Sequence, residues 1–477
     1  MRIFLSVFCL LFTFQAFGQQ YSQYNTGTLY ESFENPAVQS FIPDTSRRIA
    51  FNLFIPNVTG NFYLTGNAQS PLKSRAFTGR YNDSYLTIGE GRYNRANATA
   101  NAYLIMFRAF GSMNGNTDMG FAVQTRMDSR GIVSDETIGL FNGANFFPAD
   151  HYDNLFNNNF TYQAYHQISF AYRENITKKF ALGIKLSALL GIEYQKLDVR
   201  SSSIDIDRVN DKADLAMAGT YIVNYTPGGF TRHDFLPTFR NPGAAISIGT
   251  TLRTSDGYIL QGNVKDLGFI HWSSRSTTYG FDASRTINDL SGARREDSIY
   301  KAASRVVHTG AKVGSFITPT NGKLEVSGNK TFWINQDLNL RYSPTLVASK
   351  EIFFPGLSVA MVNPVLYKNL SLTLTSSYDT YRIFHLGGQF MVKAPNVEFF
   401  IGSERISQSG RLILASKGNE AQIARSKGYT GADVFLGFSV KFGSVIEHPM
   451  NASYIPMGED TKGFFGRLWS RIFNKGD

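Results

Sequence analysis

Cysteine is nearly missing from this chain of 477 residues: the only one, Cys9, lies inside an apolar run near the start. A disulfide framework, a thiolate metal site and a cysteine nucleophile are therefore excluded for the rest of the chain. Long apolar runs are missing too. Beyond the first residues none approaches the 18 needed for a membrane-crossing helix, which excludes a helical membrane protein. No G-x-S-x-G, H-E-x-x-H or Walker loop occurs, and the seven histidines are scattered. Charged residues are only 18% of the chain. The formal net charge of +10 is not interleaved with aromatics in a nucleic-acid-binding pattern, so no nucleic-acid partner is expected.

The start of the chain sets the compartment. Arg2 supplies a charged n-region, residues 3–14 an apolar h-region, and Ala16-Phe17-Gly18 a small-x-small cleavage site before Gln19. Residues 1–18 are expected to be an export signal, about 12 apolar residues being too short to span a bilayer.

What the chain has in quantity is aromatics, with 40 Phe and 24 Tyr, and 43 Gly. That composition suits many strands and turns, with rings collecting at two membrane interfaces. The clearest strand is residues 180–195. Phe180, Leu182, Ile184, Leu186, Ala188, Leu190, Ile192 and Tyr194 form an outward row, and Lys185, Ser187, Glu193 and Gln195 fall on the inward one. Its 16 residues would reach roughly 50 Å, beyond the 17–20 Å usual in globular domains. Similar alternation recurs at residues 49–65, 102–110, 120–127, 215–225, 244–252 and 258–266, then in a tight meander from residue 357 onward. It ends in the stretch 433–442, DVFLGFSVKF. Asn114-Gly115 and Asp256-Gly257 are hairpin turn signals. Residues 67–98, 129–162 and 273–304 read as long loops, with a short helix at 294–304, and residues 201–214 as an acidic loop carrying Asp205, Asp207, Asp211 and Asp214. The D-x-D of the acidic loop lacks the glycine of a calcium site, and Gly89-Glu90-Gly91 lacks the following helix of a phosphate cradle. His151 between Asp150 and Asp153 reads as a solvated polar loop. No metal or cofactor site is expected.

The spacing of Gly437, Val440 and Phe442 resembles the closing strand of bacterial outer-membrane barrels. Glu34-Asn35-Pro36-Ala37, after a short helix expected at residues 28–33, resembles the plug of long-chain fatty-acid transporter barrels. The segment NPGAAISIGTTLRTSDGYILQGNVKDLGFIHW, residues 241–272, resembles the strand-turn-strand-DLGFI-W block of a Bacteroidetes outer-membrane family, the domain of unknown function DUF5723. QYSQYNTGTLYESFENPAVQSFIPD near the start and NVEFFIGSE at 396–404 agree with it. The resemblance implies an exported transmembrane barrel, of the fatty-acid-transporter type, without an established substrate.

The expected fold is all-β: a closed antiparallel transmembrane barrel of about 14 strands over residues 49–443, with an N-terminal plug-like segment at 19–48 and a periplasmic tail at 444–477. An even strand number puts both ends on one side. Polar residues on inward rows are the candidate lumen lining: Gln124, Arg126, Lys185, Glu193, Arg253, Gln261, Lys265, His385 and Gln389, with Gln195, Asn263 and Lys441. In the tail, Phe464, Phe465, Leu468, Trp469, Ile472 and Phe473 share one helical face and Arg467, Arg471 and Lys475 the other. Such a helix suits a membrane surface or a partner protein. The expected partners are outer-membrane lipid, a small hydrophobic ligand that the barrel binds or passes, and an envelope protein at the tail. A non-transporting barrel that anchors a surface-export or envelope complex is the alternative. No enzymatic constellation is found.

Overall fold

The computed structural model describes residues 21–38, 46–52, 55–81, 85–111, 116–225, 235–335, 339–380, 383–418, 423, 429–446 and 463–473. Residues 1–18, expected as an export signal, the expected Asn114-Gly115 turn and Lys475 lie outside these. Twenty-two hydrogen-bonded segments form one sheet. Twenty-one of them, joined where they run on along the same neighbours, make fourteen strands, every adjacent pair antiparallel; the other, His151–Asp153, is a short addition paired with residues 203–205. They are β1 (Ser46–Phe51 and Asn57–Thr65), β2 (Tyr93–Phe110), β3 (Thr117–Ser134), β4 (Asn159–Asn175) and β5 (Phe180–Asp207). Next come β6 (Lys212–Val223 and Pro242–Arg253), β7 (Tyr258–Trp272 and Thr277–Asn288) and β8 (Ala311–Val313, Phe316–Pro319, Lys323–Lys330 and Phe332–Trp333). The last six are β9 (Leu340–Tyr342 and Thr345–Glu351), β10 (Leu357–Tyr367), β11 (Leu370–Asp379), β12 (Phe384–Lys393), β13 (Val397–Ser403) and β14 (Thr430–Ile446). β14 pairs with both halves of β1, so the ring closes without an edge. A closed ring satisfies every strand's backbone groups internally, which an all-β chain needs in lipid.

Outward rows present an apolar band, in which Phe121, Phe170, Leu186, Leu260, Val326, Leu372 and Leu374 are 41–68% exposed. Inward rows bury polar groups: Gln124 and Lys185 are 0% exposed and Gln389 2%. This inversion of a soluble protein's pattern places lipid outside and a polar filling inside. The break in β1 is sealed by Asn52, whose side chain accepts from the Met106 N–H (2.9 Å) and donates to the Tyr103 carbonyl (3.2 Å).

One end of the barrel carries the chain ends of the sheet and short turns. The other carries long connections with four helices: α2 (Gln69–Thr78), α3 (Asp135–Asn142), α4 (Arg295–Val307) and α5 (Ile406–Ser416). At that end the wall is uneven. β5 runs 28 residues, roughly 90 Å at ~3.3 Å per residue, whereas β13 has 7. The upper parts of β5, β6 and β7 form a projecting sheet. An apolar core of Ile204, Leu215, Phe281, Phe147 and Phe156 packs there against Ile299, Ala302 and Val306 of α4.

Four expected loops are thus corrected. Residues 69–78 form α2 and 93–98 belong to β2, residues 129–134 and 159–162 to β3 and β4, residues 201–207 to β5, and residues 277–288 to β7. The strand stretches stand beyond the apolar band, so one face is polar and they lack the signature of a lipid-facing strand. Residues 306–310 end α4 and turn. The four aspartates are surface groups: Asp205 pairs with His151, Asp207 with Asn210, Asp211 with Ser291 and Asp214 with Thr286. The Gly89 and Gly91 N–H groups do cradle an anion. It is the chain's own Glu136 carboxylate, at 3.0 Å from each.

In a Cys9→Ser background, Val209→Cys at the tip of the β5–β6 hairpin (94% exposed) should react fully with a water-soluble maleimide in intact envelopes. Leu186→Cys (55% exposed) should react at least tenfold more slowly, because lipid covers it. Equal rates at the two positions would contradict the membrane-spanning arrangement.

Candidate functional site

The lumen is occupied by the chain's own start, residues 21–38. Its helix α1 (Leu29–Glu34) is capped by Thr28, which accepts the Glu31 N–H at 3.2 Å, while the Glu31 carboxylate folds back onto the N–H groups of Asn25 (2.6 Å) and Gly27 (2.7 Å). This is the reciprocal economy of a capping box, T-x-x-E, with the glutamate reaching past the cap residue. Leu29, Tyr30 and Phe33 pack on Tyr103, Met106, Phe400 and Phe435 of the wall.

The segment is fastened at three levels. At its upper end Tyr21 bonds Ser358, the Ser22 N–H bonds Glu404 (2.7 Å), and Gln23 donates to Gln389 (2.5 Å). Lower down, Lys393 donates to the Thr26 carbonyl (2.9 Å) and the Leu29 N–H to Glu398 (2.9 Å), itself paired with Lys441 at 2.6 Å. The strongest fastening is at the far end of the helix. Glu34 pairs with Lys265 and with Arg126 (3.3 Å) and accepts the Tyr103 hydroxyl at 2.6 Å. Asp266 pairs with Arg126 (2.5 Å) and Lys185 (3.1 Å), and Lys185 donates to the Phe33 carbonyl at 2.9 Å.

Local backbone makes this set. The β6–β7 register shifts between Val264 and Leu267, and Asp266 has φ +49°. Such a bulge turns two successive side chains, Lys265 and Asp266, toward the same lumen. Gly268 follows because a Cβ there would lie 2.3 Å from the Ala244 carbonyl. Gly183 is fixed for a similar reason: its Cβ would fall 2.1 Å from the Pro36 carbonyl. The Asn35-Pro36-Ala37 turn is thus seated against the wall.

Of the residues expected in the lumen, Arg126, Lys185, Gln261, Lys265 and Gln389 meet on the plug or its anchors, Gln261 donating to Asn25 at 3.1 Å. Asn263 donates to the Glu34 carbonyl at 2.9 Å. Gln124 is buried in the wall with both amide atoms unpaired among the described residues. Arg253 ends the inward row of Thr251 near the short-turn end. His385 sits higher, between Tyr429, Arg405 (3.2 Å) and Asp379 (3.2 Å). Glu193 is a correction. The β4–β5 register shifts between Ala164 and Tyr165, so Tyr194 joins Leu189 and Trp272 on the inner side. Glu193 is left on the opposite face with Gln195, which donates to it at 2.5 Å. Leu190, expected outward, is 3% exposed. Asp266 was missed because strict alternation assigns it outward; the DLG of the quoted block was its signal.

Two cavities flank the plug. One of about 120 Å³ is bounded by Tyr24, Tyr30, Glu31 and Glu34 of the plug and by Arg126, Met127, Tyr165 and Lys265 of the wall. The other, about 130 Å³, lies toward the long-loop end beside Tyr21, Arg130, Glu351, His385 and Glu404. Burial, against its hydrogen bonds to Gly27 and Asn25, pushes the Glu31 carboxyl up to about 7. Burial, with Asp433 nearby, pushes Glu404 up to about 8 despite the Ser22 N–H. Glu34 goes the other way: burial raises it, but Lys265, Arg126 and Lys185 outweigh burial and hold it down at about 2. Among the described residues no group of three His, Cys, Asp or Glu could hold a metal ion.

Fold and site together define a closed fourteen-stranded barrel whose own N-terminal segment occupies its lumen. The chain belongs to DUF5723, a family of unknown function, whose profile matches residues 41–404. Among solved structures, the Pseudomonas putida toluene transporter TodX is similar at 9% identity and TM-score 0.41, over 87% of this chain and 95% of that one. A Pseudomonas aeruginosa FadL homologue is similar at 10% identity and TM-score 0.39, over 90% and 96%. No curated protein matches.

Glu34→Gln should leave Lys265 and part of Arg126 buried without a counter-charge, a loss on the order of 3–5 kcal/mol for a broken buried pair. The expected readout is cleavage within residues 21–38 at least tenfold faster under limited proteolysis, with the barrel's heat-modifiable gel mobility kept. Unchanged cleavage would show that the ion set does not hold the plug. The pH dependence has two opposite parts. Glu34 is depressed, so its contribution is full above about 4.5 and fades toward pH 2. Glu31 and Glu404 are raised, so the seated tip is favoured while they hold protons and loosens as pH climbs from about 5 to 8. Hydrogen exchange at residues 22–27 should accelerate over that range, and Glu31→Gln with Glu404→Gln should flatten the profile.

Proposed function

We propose that the protein is an outer-membrane barrel that binds a small ligand with an apolar body and a polar end, and passes it when the tip of the N-terminal segment moves aside. The observation that carries this reading is that the plug itself forms one side of the cavity, through Gln23, Tyr24, Tyr30, Glu31, Glu34 and Asn35: a ligand there touches the group that must move. The lining suits an amphiphile more than a pure hydrocarbon. Tyr24, Tyr30, Tyr165 and Met127 offer ring and thioether surface, and Arg126, Lys265 and Glu31 offer charge at one end. Notably, the cavity is not wholly apolar, which refines the expectation of a hydrophobic ligand.

The export signal, the lipid-facing band and the closed ring support the location, and the lack of a convergent nucleophile and base in the sequence supports a non-enzymatic role. The tip's fastening by neutral-range carboxylates gives the motion a low threshold, whereas the ion set at Glu34 keeps the lower helix in place. Opening therefore involves residues 21–27 first.

Planar-bilayer conductance tests the reading. A variant lacking residues 21–38 should conduct at least tenfold more than the full chain, which stays mostly closed. A native mass spectrum of the detergent-extracted full chain should show a retained amphiphile of about a hundred daltons, the size a cavity of about 120 Å³ holds, lost in Arg126→Ala. A deletion variant with native heat-modifiable mobility that conducts no better would overturn the gate, and a full chain that is stoichiometrically empty would overturn the ligand.

A further inference from the structure

The lumen leaves one element without a role: the C-terminal helix α6 (Phe464–Phe473). It lies against the outside of the barrel at the short-turn end. Glu174, near the end of β4 and 1% exposed, accepts the N–H groups of Phe465 and Gly466 at 2.7 Å each and the Tyr172 hydroxyl at 2.9 Å. A buried carboxylate is thereby neutralised by the free amides of a helix N-terminus. The fit is close. A Cβ at Gly463 would sit 2.5 Å from the Glu174 carboxyl carbon.

Two ring contacts continue the docking, Phe465 on Tyr172 (centroids 5.5 Å) and Trp469 on Phe180 (6.2 Å). Tyr172 and Phe180 are the last members of the outward rows that hold Phe170 and Leu186, so the helix abuts the lower margin of the apolar band. Its own free surface is apolar as well: Phe464 is 62% exposed, Leu468 46% and Trp469 42%. Arg467 is exposed beside them, and Arg471 follows one turn on in the sequence.

Surface of this kind, continuous with a lipid-facing band and edged by the Arg467 guanidinium, matches the boundary between acyl chains and phosphates. We propose that α6 is a leaflet clamp. Pinned to the rim by Glu174, it lies in the periplasmic leaflet with Phe464, Leu468 and Trp469 among acyl chains and Arg467 on the phosphates of anionic phospholipids. The proposal rests on the outer-membrane reading above. It also gives Glu174 a positioning role, since that carboxylate sets the depth and direction of the helix.

The test uses the full chain in a Cys9→Ser background, labelled with a small fluorophore at Leu468→Cys or at Leu186→Cys, in vesicles carrying acyl-chain nitroxide quencher. Leu186→Cys should be quenched in phosphatidylcholine and in phosphatidylglycerol mixtures alike. Leu468→Cys should be quenched to a similar extent with phosphatidylglycerol and at most half as much without it. Glu174→Gln and Arg467→Glu should each reduce quenching at 468 severalfold and leave 186 unchanged. A 468 label that stays open to aqueous iodide in both lipids overturns the clamp. One shielded from iodide and nitroxide alike also overturns it, in favour of a protein cover. Loss of quenching at 186 as well would instead remove the barrel reading itself.

Discussion

Two buried carboxylates, Glu34 on the plug and Asp266 on the wall, share three cations, and the rest of the lumen is arranged around them. Arg126 touches both, Lys265 takes Glu34 and Lys185 takes Asp266. Each group is at most 15% exposed, so each has given up several kcal/mol of hydration. That loss is offset only while all partners are in place. The set therefore behaves as a unit: removing one member strands another, and partial release of the plug's lower half is not a low-energy state.

The consequence for the upper half is different. Residues 21–27 are tied by hydrogen bonds, one of them from the Lys393 ammonium, and by carboxyls pushed up toward neutrality, so their release takes no partner from the three cations around Glu34 and Asp266. A plug with a firm base and a looser tip follows from where charge was placed. The cavity beside Tyr24, Tyr30 and Glu31 lies at the junction of the two regimes.

Much of this architecture was legible in the sequence because lipid imposes a period of two on any strand it touches. The rows through Phe180 and Leu186, and the meander from residue 357 onward, gave the strand number, and the lysines and glutamines opposite them gave the lumen. Legibility failed where that constraint stops. Above the band, β5 to β7 are solvated on one face, and their alternation is that of an ordinary sheet, so residues 201–207 and 277–288 looked like loops. It failed again at bulges. One extra residue near Ile192 turned Glu193 outward, and another near Lys265 turned Asp266 inward, and neither shift leaves a mark in hydropathy. The ion set's central acid was for that reason invisible to periodicity, although its DLG context stood in the sequence.

The plug's attachments come from β2, β3, β5, β7, β10, β12 and β13 and from Glu404 just past β13, the named hydrogen bonds spanning 69 to 382 residues of chain. Contacts of such span cannot form until most of the ring exists. The plug is consequently seated late, and a barrel without it has an open bore in which Lys265 lacks Glu34 while Asp266 serves Arg126 and Lys185 alone. Seating the plug is thus an internal check on register: only a ring that brings Arg126 and Lys265 together presents the two cations that Glu34 neutralises.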